Sequence, residues 1–145
     1  MPVQPPAKTG DPVGAIDTPA MVVDLDAYER NLDLMAAYVG SAGVVLRPHA
    51  KTHKSPVVAL DQIARGAVGQ CCQKVSEAEV LVDGGVSDVL VSNEIVGDAK
   101  VARLAALAAR ARIAVCADDA QQVAAYAKAA RAGNVVLHVL VEMDA

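Results

Sequence analysis

Val44-Val45-Leu46-Arg47-Pro48-His49-Ala50-Lys51-Thr52-His53-Lys54 runs from an apolar, strand-like start into a cluster of basic and imidazole side chains. A lysine at the carboxyl end of a buried strand, crowded by cationic neighbours, is expected to lose its proton more easily than a free one and to attack a carbonyl as an amine. Lys51 is therefore the candidate for Schiff-base chemistry. A solvated basic loop is the plainer reading of such a cluster taken alone, and the rest of the chain decides against it.

Outward from this block, short β-branched runs alternate with amphipathic stretches. The strand-like runs are Ala20 to Asp24, Val44 to His49, Val68 to Cys72, Asp88 to Ser92, Arg112 to Cys116 and Val135 to Glu142. Their starts recur at intervals of about twenty to twenty-five residues, the length of a βα unit. Between them, Ala27 to Val39 places Leu32, Met35, Ala36 and Val39 at helical spacing. Ser55-Pro56 opens another helix, and Ser76-Glu77-Ala78-Glu79 has the form of a capping box ahead of a stop at Gly84-Gly85. Ala99 to Ala111 and Asp119 to Ala132 complete the set, with Asp118 as the expected N-cap and Gly133-Asn134 as the stop. Strands alternating with helices predict a parallel sheet, either doubly wound or closed as a (β/α)₈ barrel. The chain has no GxGxxG after its first strand and no Walker lysine loop, the usual nucleotide fingerprints of the doubly wound class.

With 145 residues, 54% of them hydrophobic, the chain can bury one sizeable core. Only 2% are aromatic, so alanine and valine carry the burial. A formal net charge of −4 gives no reason to expect a nucleic-acid partner, whose phosphates call for a basic surface. Cys71, Cys72 and Cys116 form neither a disulfide framework nor a zinc spacing, which fits a reducing compartment. Residues 1–17 read as a flexible leader without an apolar h-region, and no apolar run approaches the ~20 residues of a membrane span. The expectation is a soluble cytoplasmic protein without a membrane partner.

Four ordered blocks carry a family resemblance: Thr18-Pro19-Ala20-Met21-Val22-Val23-Asp24-Leu25-Asp26 with Glu29-Arg30-Asn31; Arg47-Pro48-His49 with Lys51-Thr52-His53-Lys54; Cys71-Cys72-Gln73-Lys74-Val75-Ser76-Glu77-Ala78-Glu79; and Asp88-Val89-Leu90-Val91-Ser92-Asn93-Glu94. Together they resemble the N-terminal part of the D-threonine aldolase and 3-hydroxy-D-aspartate aldolase family, pyridoxal-phosphate enzymes on an alanine-racemase-type barrel. The resemblance selects the barrel over the doubly wound sheet. It implies an α/β fold in which residues 18–145 form the first portion of a partial (β/α)₈ TIM-type barrel, with Val44 to His49 as barrel strand one and about five barrel strands present. The strand Ala20 to Asp24 would belong with a second, β-rich domain. The late barrel strands, that domain and the ligands of a divalent metal would lie outside this chain, which implies a truncated, inactive form and a homodimer only at full length.

Strand carboxyl ends carry the chemistry of such barrels, and here they offer His49 and Lys51, Gln73 and Lys74, Asn93 and Glu94, Asp118, and Asp144. By the resemblance Lys51 is the cofactor lysine, Gln73 touches pyridoxal phosphate and His49 packs beside its ring. His53 is weighed as a proton relay against an exposed helix-start histidine. No residue is assigned to a metal: Glu94 and Asp144 are read as cap or salt-bridge residues. Cys71 and Cys72 are expected to be buried, unreactive thiols, Tyr28, Tyr38 and Tyr126 packing residues, and His138 a satisfied core histidine. The implied reaction is retro-aldol cleavage of a small D-3-hydroxy-amino acid, 3-hydroxy-D-aspartate to glycine and glyoxylate before D-threonine. D-serine dehydration, a pyridoxal-phosphate carrier and a non-catalytic remnant are the alternatives.

Overall fold

A computed structural model describes residues 5–143. The described chain divides at Asn31/Leu32 into two units. In the first, a 3-10 turn at Val13–Ala15 is followed by Asp17 N–H bonding back to Pro6 O at 2.9 Å. Residues 20–24 pair with no other strand in the described chain, so the strand expected there is absent despite its β-branched residues. β-propensity expresses itself only against a partner. Asp24 instead caps helix α1 (Leu25–Ser41), its Oδ1 accepting the Ala27 N–H at 2.9 Å.

The second unit is a sequential βα succession. It comprises helix α2 (Pro56–Ala64), strand β1 (Gln70–Cys72), α3 (Val75–Asp83), β2 (Asp88–Glu94), α4 (Asp98–Leu107), β3 (Arg112–Ala117), α5 (Ala120–Gly133) and β4 (Leu137–Val141). The four strands form one parallel sheet in the order β1-β2-β3-β4. The segment expected as the first barrel strand, Val44 to His49, joins it by a single bridge between His49 and Cys71. Three backbone bonds nevertheless run along that edge: Val68 N–H to Leu46 O at 2.9 Å, Cys71 N–H to Pro48 O at 2.7 Å and Ala50 N–H to Cys71 O at 2.7 Å. Pro48 can accept but not donate, which helps keep the edge from becoming a regular ladder.

Alternate residues of the sheet face opposite ways. Val89 and Val91 of β2 align with Ile113 and Val115 of β3, and these four pack in one core with Ala78, Leu81, Leu104 and Tyr126 from the helices. Each fully buried valine, leucine or isoleucine contributes about 1.5–3 kcal/mol. Tyr126 joins the layers with polar bonds as well as packing: its hydroxyl accepts the Ile95 N–H at 2.9 Å and faces the carbonyls of Ile95 at 3.0 Å and Cys116 at 3.3 Å. Burial pushes this phenol above its ordinary value, opposed by the bond to Ile95. His49, Cys71, Leu90, Ala114 and His138 occupy one register row on the other face. His138 is thus not a core histidine: it is half-buried on the edge strand β4.

Helix ends follow local chemistry, with two displacements from expectation. Ser55 caps α2, its Oγ accepting the Val58 N–H at 3.5 Å, and Asn134 ends α5 in the left-handed conformation. The N-cap of α5 is Asp119, not Asp118, and its carboxylate accepts the Gln121 N–H at 2.6 Å. The capping box at Ser76 does not form, because α3 begins two residues earlier with Lys74 as N-cap. Glu79 turns outward to Arg103, whose bond holds its carboxyl below the ordinary value. The acid that reaches back over the start of α3 is Glu77, which accepts the Gln73 N–H at 2.9 Å.

Candidate active site at the strand carboxyl ends

The turn bearing Lys51 is built from the backbone outward. Ala50, 2% exposed, anchors its root through the bond to Cys71, and Lys54 closes it with its N–H on Ala50 O at 2.8 Å. Lys54 takes a left-handed backbone, φ 51°, uncommon for a residue with a Cβ. Within this tight turn the Lys51 N–H donates to His49 Nδ1 at 3.2 Å, while the Lys51 side chain stays exposed. His49 Nε2 lies 3.2 Å from Ser92 Oγ, and that hydroxyl donates to Cys72 O at 3.2 Å. Three neighbouring strand ends are thereby tied together behind one lysine.

The cationic crowd expected around Lys51 is dispersed by the fold. Arg47 turns to the amino ends of the strands, where its guanidinium meets Asp88 at 2.9 Å and Gln70 O at 3.3 Å. Packing there is close enough that a Cβ on Gly69 would sit 2.5 Å from both Arg47 Nη1 and Asp88 O, so only glycine fits. The Lys54 ammonium lies 3.8 Å from Glu77. His53 is half-buried, not exposed, with Nδ1 accepting the Ser55 N–H at 3.0 Å and Nε2 buried without a protein partner. Burial lowers its pKa below 6.5, against the raising effect of the Ser55 bond. It braces the start of α2.

Gln73 follows β1 directly and is half-buried. Both of its backbone groups are engaged, the N–H by Glu77 and the carbonyl by Asn93 Nδ2 at 3.4 Å. Its side chain has neither of these duties. The structure thus brings His49 and Lys51 together, and holds Gln73 by separate partners on the next strand end. Ser92 and Glu77, which bond to these strand ends, were not singled out from the sequence, whereas Asn93 stood among the strand-end residues. The Ser92-Asn93-Glu94 block was visible, but nothing local to it signals which way those side chains turn.

Two of the buried thiols, Cys72 and Cys116, are held in their protonated form. Burial first, then the charge of Glu77, pushes Cys72 up to about 12, and its contact with Lys74 is to the carbonyl, at 3.7 Å. Burial also lifts Cys116, aided by the hydrogen bond and charge of Glu142, to about 11. Among the described residues no group of three or more His, Cys, Asp or Glu side chains is arranged to hold a metal ion. Glu94 is half-buried at the end of β2, and Asp144 lies outside the described residues. No described helix is long and apolar enough to cross a membrane.

Two cavities lie in the second unit. One of about 310 Å³ lies between the Lys51 turn and α3, lined by Ala50, Lys54, Lys74, Ser76, Glu77 and neighbours. A more apolar one of about 380 Å³ lies between the later turns of α1 and residues 44–48, away from the strand carboxyl ends. Lys51 lines neither. Its placement at the strand carboxyl ends makes it the candidate.

The same arrangement of strands and helices recurs in known proteins. The chain is 49% identical over 140 residues to a D-threonine aldolase of Arthrobacter sp, covering 97% of this chain and 37% of that protein. It is 45% identical over 141 residues to the 3-hydroxy-D-aspartate aldolase of Paracoccus denitrificans (strain Pd 1222), covering 96% of this chain and 36% of the relative. The crystal structure of D-threonine aldolase from Filomicrobium marinum superposes with a TM-score of 0.95 at 53% identity, over 98% of this chain and 38% of that one. This chain therefore spans little more than a third of the length of these relatives. Residues 23–145, from the cap of α1 through the whole parallel sheet, match the alanine racemase, N-terminal domain, and it is to this family that the chain belongs.

Proposed function

We propose that this chain carries the lysine-bearing part of a pyridoxal-phosphate-dependent lyase that cleaves small D-3-hydroxy-amino acids by a retro-aldol reaction. Supporting the substrate class are the activities named for its relatives, D-threonine aldolase and 3-hydroxy-D-aspartate aldolase. Within that class 3-hydroxy-D-aspartate, giving glycine and glyoxylate, is the favoured substrate, and D-threonine the close alternative. The observation that carries the proposal is the exposed amine of Lys51 on a turn whose backbone is fixed by His49 and Ala50 at the carboxyl end of a parallel sheet.

The donor set fits the aldehyde end of pyridoxal phosphate: a solvent-accessible primary amine, an amide on the adjoining strand end, and an imidazole bonded to the lysine turn. Bound there, the cofactor supplies an electron sink for breaking a carbon–carbon bond next to an amino group. Lys51 contributes the attacking amine, and its fixed backbone limits the directions that amine can sample. Gln73 contributes an amide that can donate or accept a hydrogen bond without exchanging a proton. The imidazole of His49, with both ring nitrogens engaged, orients the lysine turn. The divalent metal implied by the family finds no ligand group of three or more His, Cys, Asp or Glu side chains among the described residues.

The test is chemical. The chain is incubated with pyridoxal phosphate, reduced with borohydride, digested and mapped. A phosphopyridoxyl group on Lys51 is the expected product. Label on Lys54 or Lys74 with none on Lys51 overturns the assignment.

A further inference from the structure

Ser92 and Asn93 sit where β2 loses register with β3. Val91 pairs with Val115, but the following residue of β3, Cys116, pairs with Glu94, so two residues of β2 are extra. Such bulges are rare between parallel strands and re-aim side chains where they occur. Here both released residues turn to the strand on the other side, Ser92 to Cys72 O and His49, Asn93 to Gln73 O. Sequence spacing alone would have set Ser92 opposite Cys116.

The direction of each bond follows from what the groups can give. The Lys51 N–H donates to His49 Nδ1, so that nitrogen carries no proton. A neutral imidazole then bears its hydrogen on Nε2, facing Ser92 Oγ, which accepts it and passes its own hydrogen to Cys72 O. Every group in the chain has one role and none is left in conflict. We propose that Ser92 is a positioning residue for Lys51: acting through the imidazole of His49, it fixes the backbone of the lysine turn, and the β2 bulge is what aims it. Its value for catalysis rests on the proposed use of Lys51, but the latch itself does not.

Magic-angle-spinning nitrogen spectra read imidazole tautomers whatever the particle size, and a chain labelled at its histidine ring nitrogens supplies the first readout. His49, identified by the signal lost in His49→Gln, should show a single Nε2–H tautomer. In Ser92→Ala that signal should divide between both tautomers. The Lys51 amide should exchange about fivefold faster, the size expected from losing one modest hydrogen bond. Borohydride-trapped label at Lys51 should fall relative to label at Lys74. Ser92→Thr, which keeps the hydroxyl, should restore all three. An unchanged His49 tautomer and unchanged Lys51 exchange in Ser92→Ala would overturn the latch, as would a threonine variant that fails to restore them. Failure of the unaltered chain to label at Lys51 would instead overturn the functional reading and leave the tautomer result standing.

Discussion

The two ends of the parallel sheet use polar residues in opposite ways. At the amino ends, Asp88 holds two guanidiniums, Arg47 at 2.9 Å and Arg112 at 3.1 Å, and Gly69 lets the backbones close in behind them. Charge there is neutralised by charge. At the carboxyl ends, Ser92, Asn93 and Glu77 bond to backbone groups of Cys72 and Gln73, and His49 to that of Lys51. These contacts use up main-chain atoms and leave the side chains of Lys51 and Gln73 available. The amino ends are built for cohesion and the carboxyl ends for presentation, the division expected of barrel sheets.

Exchanging the damage tests that division. Lys51→Ala should abolish phosphopyridoxyl labelling at its position while shifting the unfolding free energy by no more than about 0.5 kcal/mol, the usual range for an exposed residue. Asp88→Ala should do the reverse. Leaving two arginines facing each other without their carboxylate should cost about 1–3 kcal/mol, since the site is half-buried and water screens part of the repulsion. Labelling of Lys51 should persist in every molecule that remains folded. Urea midpoints paired with peptide maps for both variants decide the matter. A Lys51→Ala chain as unstable as Asp88→Ala would erase the distinction.

Gln73→Ala sharpens the comparison within the carboxyl ends. Because Glu77 and Asn93 hold the backbone of Gln73, removing the side chain should leave the turn in place. Cofactor retention, read by equilibrium dialysis and by the absorbance of the bound form, should weaken by about fivefold, the worth of one hydrogen bond. That is far less than the loss of Lys51. Unchanged retention and spectrum in the variant would remove Gln73 from the site.

How much of this was legible in the sequence differs along the chain. The parallel βα order, the four paired strands and the stops at Gly84 and Asn134 follow from period and from residues with special backbone preferences, and these read well locally. Strand Val44 to His49 read less well because Pro48 lacks a donor and its neighbour supplies one bridge. The basic cluster was misread as a crowd. Successive strand residues point to opposite faces, and Arg47 found a carboxylate 41 residues away. The place of Lys51 just past the bridged His49 was legible from its block, and that of Gln73 from its position after a strand. The Ser92-Asn93 bulge was not legible, since no glycine or proline marks it and its register depends on β3. Tyr126 looked like packing, and its three backbone contacts across layers have no local signature.

The smallest expected effect concerns His53, which stands beside the lysine turn but serves α2. Its pKa is lowered in the folded chain, first by burial, so between the ordinary value of 6.5 and the lower folded value the unfolded chain binds more protons. Stability should then be fully present above pH 6.5 and decline as the pH falls below it. His53→Asn offers a carboxamide oxygen in place of Nδ1 to accept the Ser55 N–H, and removes the titration. Urea midpoints of the two chains, compared at pH 7.5 and pH 5.5, should differ in slope: the unaltered chain loses more stability on acidification than the variant, while phosphopyridoxyl labelling of Lys51 at pH 7.5 is the same in both. Equal losses would mean that the buried imidazole gains its proton without cost. A variant that lost the label at pH 7.5 would move His53 from the brace of α2 into the site itself.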